Sequence, residues 1–187
     1  MILIINICKE KLHYFEFVKP IEDILKNNNI KFKTLHYNKL KKTRDCKKIN
    51  YEKIIICGTS LKDNAYLKFD FSWIKKIDKP ILGICAGMQI ISLEFGGKIK
   101  NKTEIGYYKE CFKEEFLTLK GEKQVYHLHN SYSTLPRNFK KFTSSKIPQA
   151  IKHNHKEIYG ILSHPEVRNK EMIIKFLKKG TKFKNTN

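Results

Sequence analysis

The chain of 187 residues is 41% hydrophobic and 12% aromatic, enough apolar surface for one globular domain and too much for a disordered chain. Its formal net charge of +20 comes almost wholly from lysine scattered through every segment, with arginine only at Arg44, Arg137 and Arg168. Nucleic-acid binders concentrate basic residues in one patch and use arginine for bidentate contacts, so no nucleic-acid partner is expected; the densest cluster, Lys39 to Lys48, reads as a solvated loop.

Ile2 to Ile7 is a continuous apolar run, as in a parallel strand buried on both faces. It is too short to span a bilayer and lacks a basic flank and a cleavage site, so neither a membrane segment nor a signal peptide is expected. A cytoplasmic location follows as the expectation. From Leu12 to Lys26, Phe15, Val18, Ile21, Ile24 and Leu25 recur at spacings of three and four, an amphipathic helix that Pro20 shortens or kinks. Asn27-Asn28-Asn29 ends it, and Ile30 to Leu35 alternates as a second strand. Lys53 to Cys57 is a third strand, closing in Gly58. A helical stretch from Phe69 to Ile77 leads to Pro80 and a fourth strand, Ile81 to Ile84. The next helix, Met88 to Phe95, ends at Gly96-Gly97.

After residue 98 the texture changes. Lys98 to Lys100, Gly106 to Phe112, Glu115 to Leu119, Gln124 to His129 and Phe139 to Phe142 read as short alternating strands. Ile158 to Leu162 is again a buried apolar strand. Asn169 to Lys179 closes the chain as a helix with Met172, Ile173, Phe176 and Leu177 on one face. The fold class expected is α/β: a single domain over residues 1–187, with an open, mostly parallel sheet flanked by helices and a small antiparallel insert in the second half.

The fourth strand delivers Gly83-Ile84-Cys85-Ala86-Gly87, the thiol counterpart of the Gly-x-Ser-x-Gly elbow that thrusts a nucleophile out over a sheet edge. The glycines are needed where neighbouring backbone crowds the turn, and the amides opening the next helix favour thiolate. A thiol nucleophile needs a base, and the base needs an orienting partner. His164-Pro165-Glu166 supplies both at the end of another strand, because residues i and i+2 of extended backbone point the same way. The odd count of five cysteines, with no Cys-x-x-Cys pair, fits a reducing compartment; Cys8 and Cys57 read as core residues. His127 with His129, and His153 with His155, alternate along strands as metal ligands do. No cysteine or carboxylate completes a site around either pair, so no metal is expected.

On these residues the chain resembles the class I glutamine amidotransferases of the Cys-His-Glu type. Gly83-Ile84-Cys85-Ala86-Gly87-Met88-Gln89 matches the family's G-x-C-x-G-x-Q, and His164-Pro165-Glu166 matches its H-P-E. Pro80 to Gly97 is most similar to the separate glutaminase subunit of GMP synthases. The resemblance implies glutamine as substrate, no cofactor, and Cys85, His164 and Glu166 as catalytic triad with a γ-glutamyl thioester intermediate. It implies a backbone oxyanion hole at Ala86 and Thr59, and substrate binding by Gly58, Gln89, Asn130 and Ser131. The ammonia would pass to a synthetase on another subunit, for which this chain has no room. The alternatives are another γ-glutamyl hydrolase with the same elbow, or a catalytically weak regulatory subunit. The feature favouring the latter is Gly58-Thr59-Ser60 in place of the family's Gly-Gly-Pro, which strains Thr59 if that position requires a positive φ.

Overall fold

A computed structural model describes residues 1–40 and 49–180, so the basic cluster read at Lys39 to Lys48 lies almost entirely outside the described residues. In chain order the elements are β1 (Ile2–Asn6), α1 (Lys11–Phe17), α2 (Lys19–Asn27), β2 (Phe32–His36), β3 (Lys53–Ile56), β4 (Ile81–Ile84) and α3 (Ala86–Glu94). They continue with β5 (Ile99–Phe116), β6 (Leu119–Ser133), β7 (Phe139–Lys141), β8 (Ala150–His153), β9 (Ile158–Ile161) and α4 (Lys170–Lys178). The expected α/β architecture is present. A seven-stranded sheet runs in the order β2-β1-β3-β4-β9-β8-β7, with the first five strands parallel and the last two pairings, β9 with β8 and β8 with β7, antiparallel.

Side-chain alternation along the central strands builds two cores. Ile2, Ile4, Ile55, Leu82 and Ile84 face one side, where Phe17, Ile21, Leu25, Met172, Ile173 and Phe176 from α1, α2 and α4 cover them. Leu3, Ile5, Ile54, Ile56 and Ile81 face the other, under Met88, Ile90 and Ile91 of α3 and the aromatic pair Phe71 and Trp73. Strands buried on both faces have no room for polar residues, which is why they read as unbroken apolar runs.

Four local expectations change. The helix read over 12–26 is two helices meeting at Val18, with Pro20 in the first turn of α2, where its missing N–H costs nothing. The helix read over 69–77 is instead a single 3-10 turn, Ser72–Lys76, preceded by another at Ala65–Lys68. The Asp70 side chain accepts from the Ser72 amide at 2.8 Å, a local bond that competes with helix continuation. The short strands read between 98 and 129 merge into one two-stranded antiparallel ribbon, β5 with β6, which turns at Leu117 (φ 60°) inside the stretch read as the strand 115–119. β8, which the sequence did not announce, pairs with β9 and places β7 in the main sheet.

Candidate active site

β4 ends at Ile84 and α3 starts at Ala86, leaving Cys85 in the turn with φ 49° and ψ −109°. A non-glycine residue with positive φ costs energy and persists only where its surroundings over-determine it. Here the Cys85 amide donates to Ile161 O at 2.8 Å, pinning the turn to β9. The flanking glycines are required by close approach: a Cβ on Gly83 would lie 2.5 Å from Gly87 O, and one on Gly87 2.2 Å from Ile56 O. The Cys85 thiol donates to Leu128 O of β6 at 3.7 Å. The Ala86 amide opens α3 and has no intrahelical acceptor by geometry.

β9 ends three residues before His164, whose amide donates to Tyr126 O at 2.8 Å. His164 and Glu166 are both almost fully buried, and His164 Nδ1 lies 2.7 Å from Glu166 Oε1. A carboxylate accepts only, so Nδ1 carries the proton and Nε2 is left to face the site. Nε2 has no hydrogen-bond partner among the described residues. The imidazole and Cys85 lie against the same point of the β3 loop: a Cβ on Gly58 would sit 2.8 Å from His164 Cε1 and 3.3 Å from Cys85 Cβ. Burial by itself disfavours a charged His164, but the Glu166 carboxylate first, and Cys85 beside it, outweigh that penalty and hold the imidazole well above its usual range. Burial pushes the Cys8 thiol up to about 11, and it raises Cys57 well above the ordinary thiol range. Those two are core thiols, as read.

The loop after β3 is organised by Asp63, a residue that no motif marks. Its carboxylate accepts from Thr59 Oγ1 at 2.9 Å, from the Lys9 amide at 2.5 Å and from the Ala65 amide at 3.3 Å. Thr59 is not among the residues with positive φ, so its side chain is accommodated without the backbone strain its identity raised. Gln89 is buried on α3 and engaged at both ends. Its Oε1 accepts from Tyr66 at 2.7 Å, and its Nε2 donates to Ser131 O at 2.9 Å and to Ser131 Oγ at 3.3 Å. Asn130 Nδ2 donates to Leu61 O at 2.9 Å, joining β6 to the loop. Thr59, Tyr66, Cys85, Ala86, Gln89 and Ser131 thus border one small cleft. Tyr66, like Asp63, borders this cleft and was missed by sequence reasoning, since no motif marks it.

His153 serves a turn: its Nδ1 accepts from the amides of His155 and Lys156 at 3.1 and 3.0 Å. His127 and His129 lie on β6 beside Glu104 of β5, the carboxylate that the sequence reading lacked. Only the strand register brings it there.

The family pattern of the class-I glutamine amidotransferases matches residues 13–182. Among curated relatives, a subunit of the glutamine-hydrolyzing GMP synthase of Methanosarcina barkeri is 34% identical over 137 residues, 66% of this chain and 71% of that one. The glutamine-hydrolyzing GMP synthase of Limosilactobacillus reuteri is 35% identical over 146 residues; the match takes in 72% of this chain but 28% of that longer protein. Among solved structures, a protein of Thermoplasma acidophilum described as a GMP synthase subunit superposes with a TM-score of 0.79 at 22% identity, covering 94% of this chain and 91% of that one. A glutamine amidotransferase of Thermotoga maritima gives a TM-score of 0.64 at 22% identity, over 88% and 75% of the two chains. With nearly its whole length matched to that family, and its elbow, histidine and carboxylate at adjoining strand ends, the chain belongs to the class-I glutamine amidotransferases.

Proposed function

We propose that this chain hydrolyses glutamine through Cys85, His164 and Glu166 and delivers the ammonia to a separate synthetase subunit. The observation that carries the reading is the Cys85 turn, held at φ 49° with His164 packed against the same point of the β3 loop. Strain of this kind is retained where it exposes a nucleophile.

In this mechanism His164 Nε2 takes the Cys85 thiol proton as the sulfur attacks the side-chain amide carbon of glutamine. The developing oxyanion lies against the amides of Ala86 and Thr59, the donor positions expected beside the elbow. His164 gives a proton from Nε2 to the amide nitrogen, ammonia leaves, and a γ-glutamyl thioester remains. Water then attacks the thioester, His164 takes its proton, and glutamate departs with the thiol restored. Glu166 holds the Nδ1–H tautomer throughout and stabilises the imidazolium. The substrate rests against Gly58 and against Asn130 and Ser131 of the cleft, while Gln89 positions Ser131 through its amide.

The relatives named as subunits of GMP synthase favour an acceptor that aminates a nucleotide base. Mass spectrometry after incubation with 6-diazo-5-oxonorleucine, beside a Cys85→Ala control, tests the reading. One adduct, on Cys85 and absent from the control, is the expected result. A folded protein that gains none, with glutamate release also absent, overturns glutamine as substrate.

A further inference from the structure

β6 carries His127 and His129 at alternate positions, so their side chains share the face opposite Leu128. Both imidazoles are buried, at 0% and 2% exposure. The register sets Glu104 across from His129 and Gly106 across from His127, so the position paired with His127 carries no side chain. Glu104 is itself 7% exposed, and the potential ligand atoms of the three residues all lie within 4.8 Å of one another.

The polar accounting at this cluster does not close. His129 Nδ1 lies 3.3 Å from Lys102 O, and a carbonyl only accepts, so Nδ1 carries the proton and Nε2 of the neutral ring presents a lone pair. That lone pair lies 3.1 Å from Glu104 Oε2, another acceptor, without the alignment of a hydrogen bond. Neither nitrogen of His127 has a hydrogen-bond partner among the described residues, although Glu110 Oε1 is 3.7 Å from its Nε2. Leaving a buried polar group unpaired costs about 1–3 kcal/mol, so two such imidazoles side by side need an explanation.

We propose that His127, His129 and Glu104 form a binding site for a divalent transition-metal ion of the zinc class. Tetrahedral zinc bonds of about 2.0–2.1 Å imply ligand-to-ligand edges of about 3.3 Å. The 3.1 Å approach of His129 Nε2 to Glu104 Oε2 matches such an edge: two lone pairs aimed at a shared cation. Two imidazoles with one carboxylate suit zinc rather than calcium or magnesium, which take oxygen ligands. The surrounding groups do what outer partners of a metal site do. Lys102 O fixes the His129 tautomer, Gln149 Nε2 and Lys102 Nζ hold the two Glu104 oxygens at 2.8 and 2.7 Å, and Glu110 stands beside His127. Two carboxylates against one ammonium leave the pocket net negative. The ion would pin the ribbon through Leu128, whose carbonyl faces Cys85, and so fix the roof of the cleft.

The test is metal uptake, independent of glutamine hydrolysis. The full-length Cys85→Ala protein, with the reactive thiol removed as a competing ligand, is stripped with chelator and titrated with Co²⁺ and then Zn²⁺. One equivalent of Co²⁺ with visible bands of four-coordinate cobalt, no sulfur charge-transfer band, and displacement by Zn²⁺ is the expected result. Glu104→Gln and His127→Gln should each weaken uptake beyond the roughly 10–100-fold typical of outer-partner changes. Zn²⁺ should raise the melting temperature of the Cys85→Ala protein, whether or not a given ligand variant folds well. Absence of stoichiometric uptake by the folded protein, uptake that needs Cys85, or uptake unchanged in folded ligand variants each overturns the site.

Discussion

At Gly58 the backbone of one loop meets both reactive side chains. A methyl group there would stand 2.8 Å from His164 Cε1, so Gly58→Ala displaces the imidazole by a fraction of an ångström from Cys85. A misplacement of about 1 Å can cost 10²-fold in rate, so the variant should lose about 10-fold or more of glutaminase activity while unfolding within a few degrees of the parent. Glu166→Gln tests the charge on His164. The folded pKa of His164 is raised above the 6.5 of an unfolded chain, so its pairing contributes stability in full below that value and loses it as pH rises through the folded value. Denaturant titrations should therefore show the largest gap between wild type and Glu166→Gln below about pH 6.5, narrowing as the solution is made alkaline. A constant gap would show that the pairing leaves His164 unshifted. The residues behind both predictions were legible because glycines around a cysteine and a His-x-Glu at a strand end are local patterns. Asp63 and Tyr66 were not, since their roles exist only once the loop folds over α3.

The elbow ties β3, β4 and α3 into one element, and its tolerances differ from site to site. A Cβ on Gly87 meets backbone, Ile56 O at 2.2 Å, which cannot move without breaking the sheet. A Cβ on Gly160 meets the Met88 side chain, Cγ at 2.7 Å, which is unbranched and adapts. Overpacking costs about 1–3 kcal/mol, and more when the backbone must shift. Gly87→Ala should therefore lower the melting temperature by about 10 °C or abolish soluble expression, and Gly160→Ala by half that or less. Equal losses in calorimetry would place the constraint elsewhere. Elements buried on both faces were readable from composition alone. The ribbon was legible as an antiparallel insert but not as two long strands, because its outward positions are charged and only alternate residues such as Phe112, Phe116, Leu119 and Val125 are covered. The apolar spacing of Phe69, Phe71, Trp73, Ile74 and Ile77 matched a helix, yet the Asp70 side chain captures the Ser72 amide and leaves tight turns.

Across the whole molecule the sheet separates chemistry from anchoring. Cys85, His164 and Gly58 all follow the C-terminal ends of parallel strands, the side where open α/β sheets bind ligands. The opposite end is closed by Lys53, a buried cation at the start of β3. Its ammonium donates to Phe176 O at 2.8 Å and to Leu177 O and Lys179 O at 2.6 Å each, capping the C-terminus of α4. Nothing in the sequence distinguishes this lysine from the many on the surface, since its partners lie more than a hundred residues away and are backbone carbonyls. Lys53→Met keeps the stem's packing but removes the ammonium from those carbonyls. Hydrogen bonds to charged groups contribute about 1.5–3 kcal/mol, so the variant should lose about that much unfolding free energy. Its Cys85 should still take the glutamine-analogue adduct at the parental rate below the new melting point, because the strands between the two ends remain paired. A variant with parental stability would show that the cap contributes nothing. A destabilised variant whose labelling also slows would show that the two ends of the sheet are coupled.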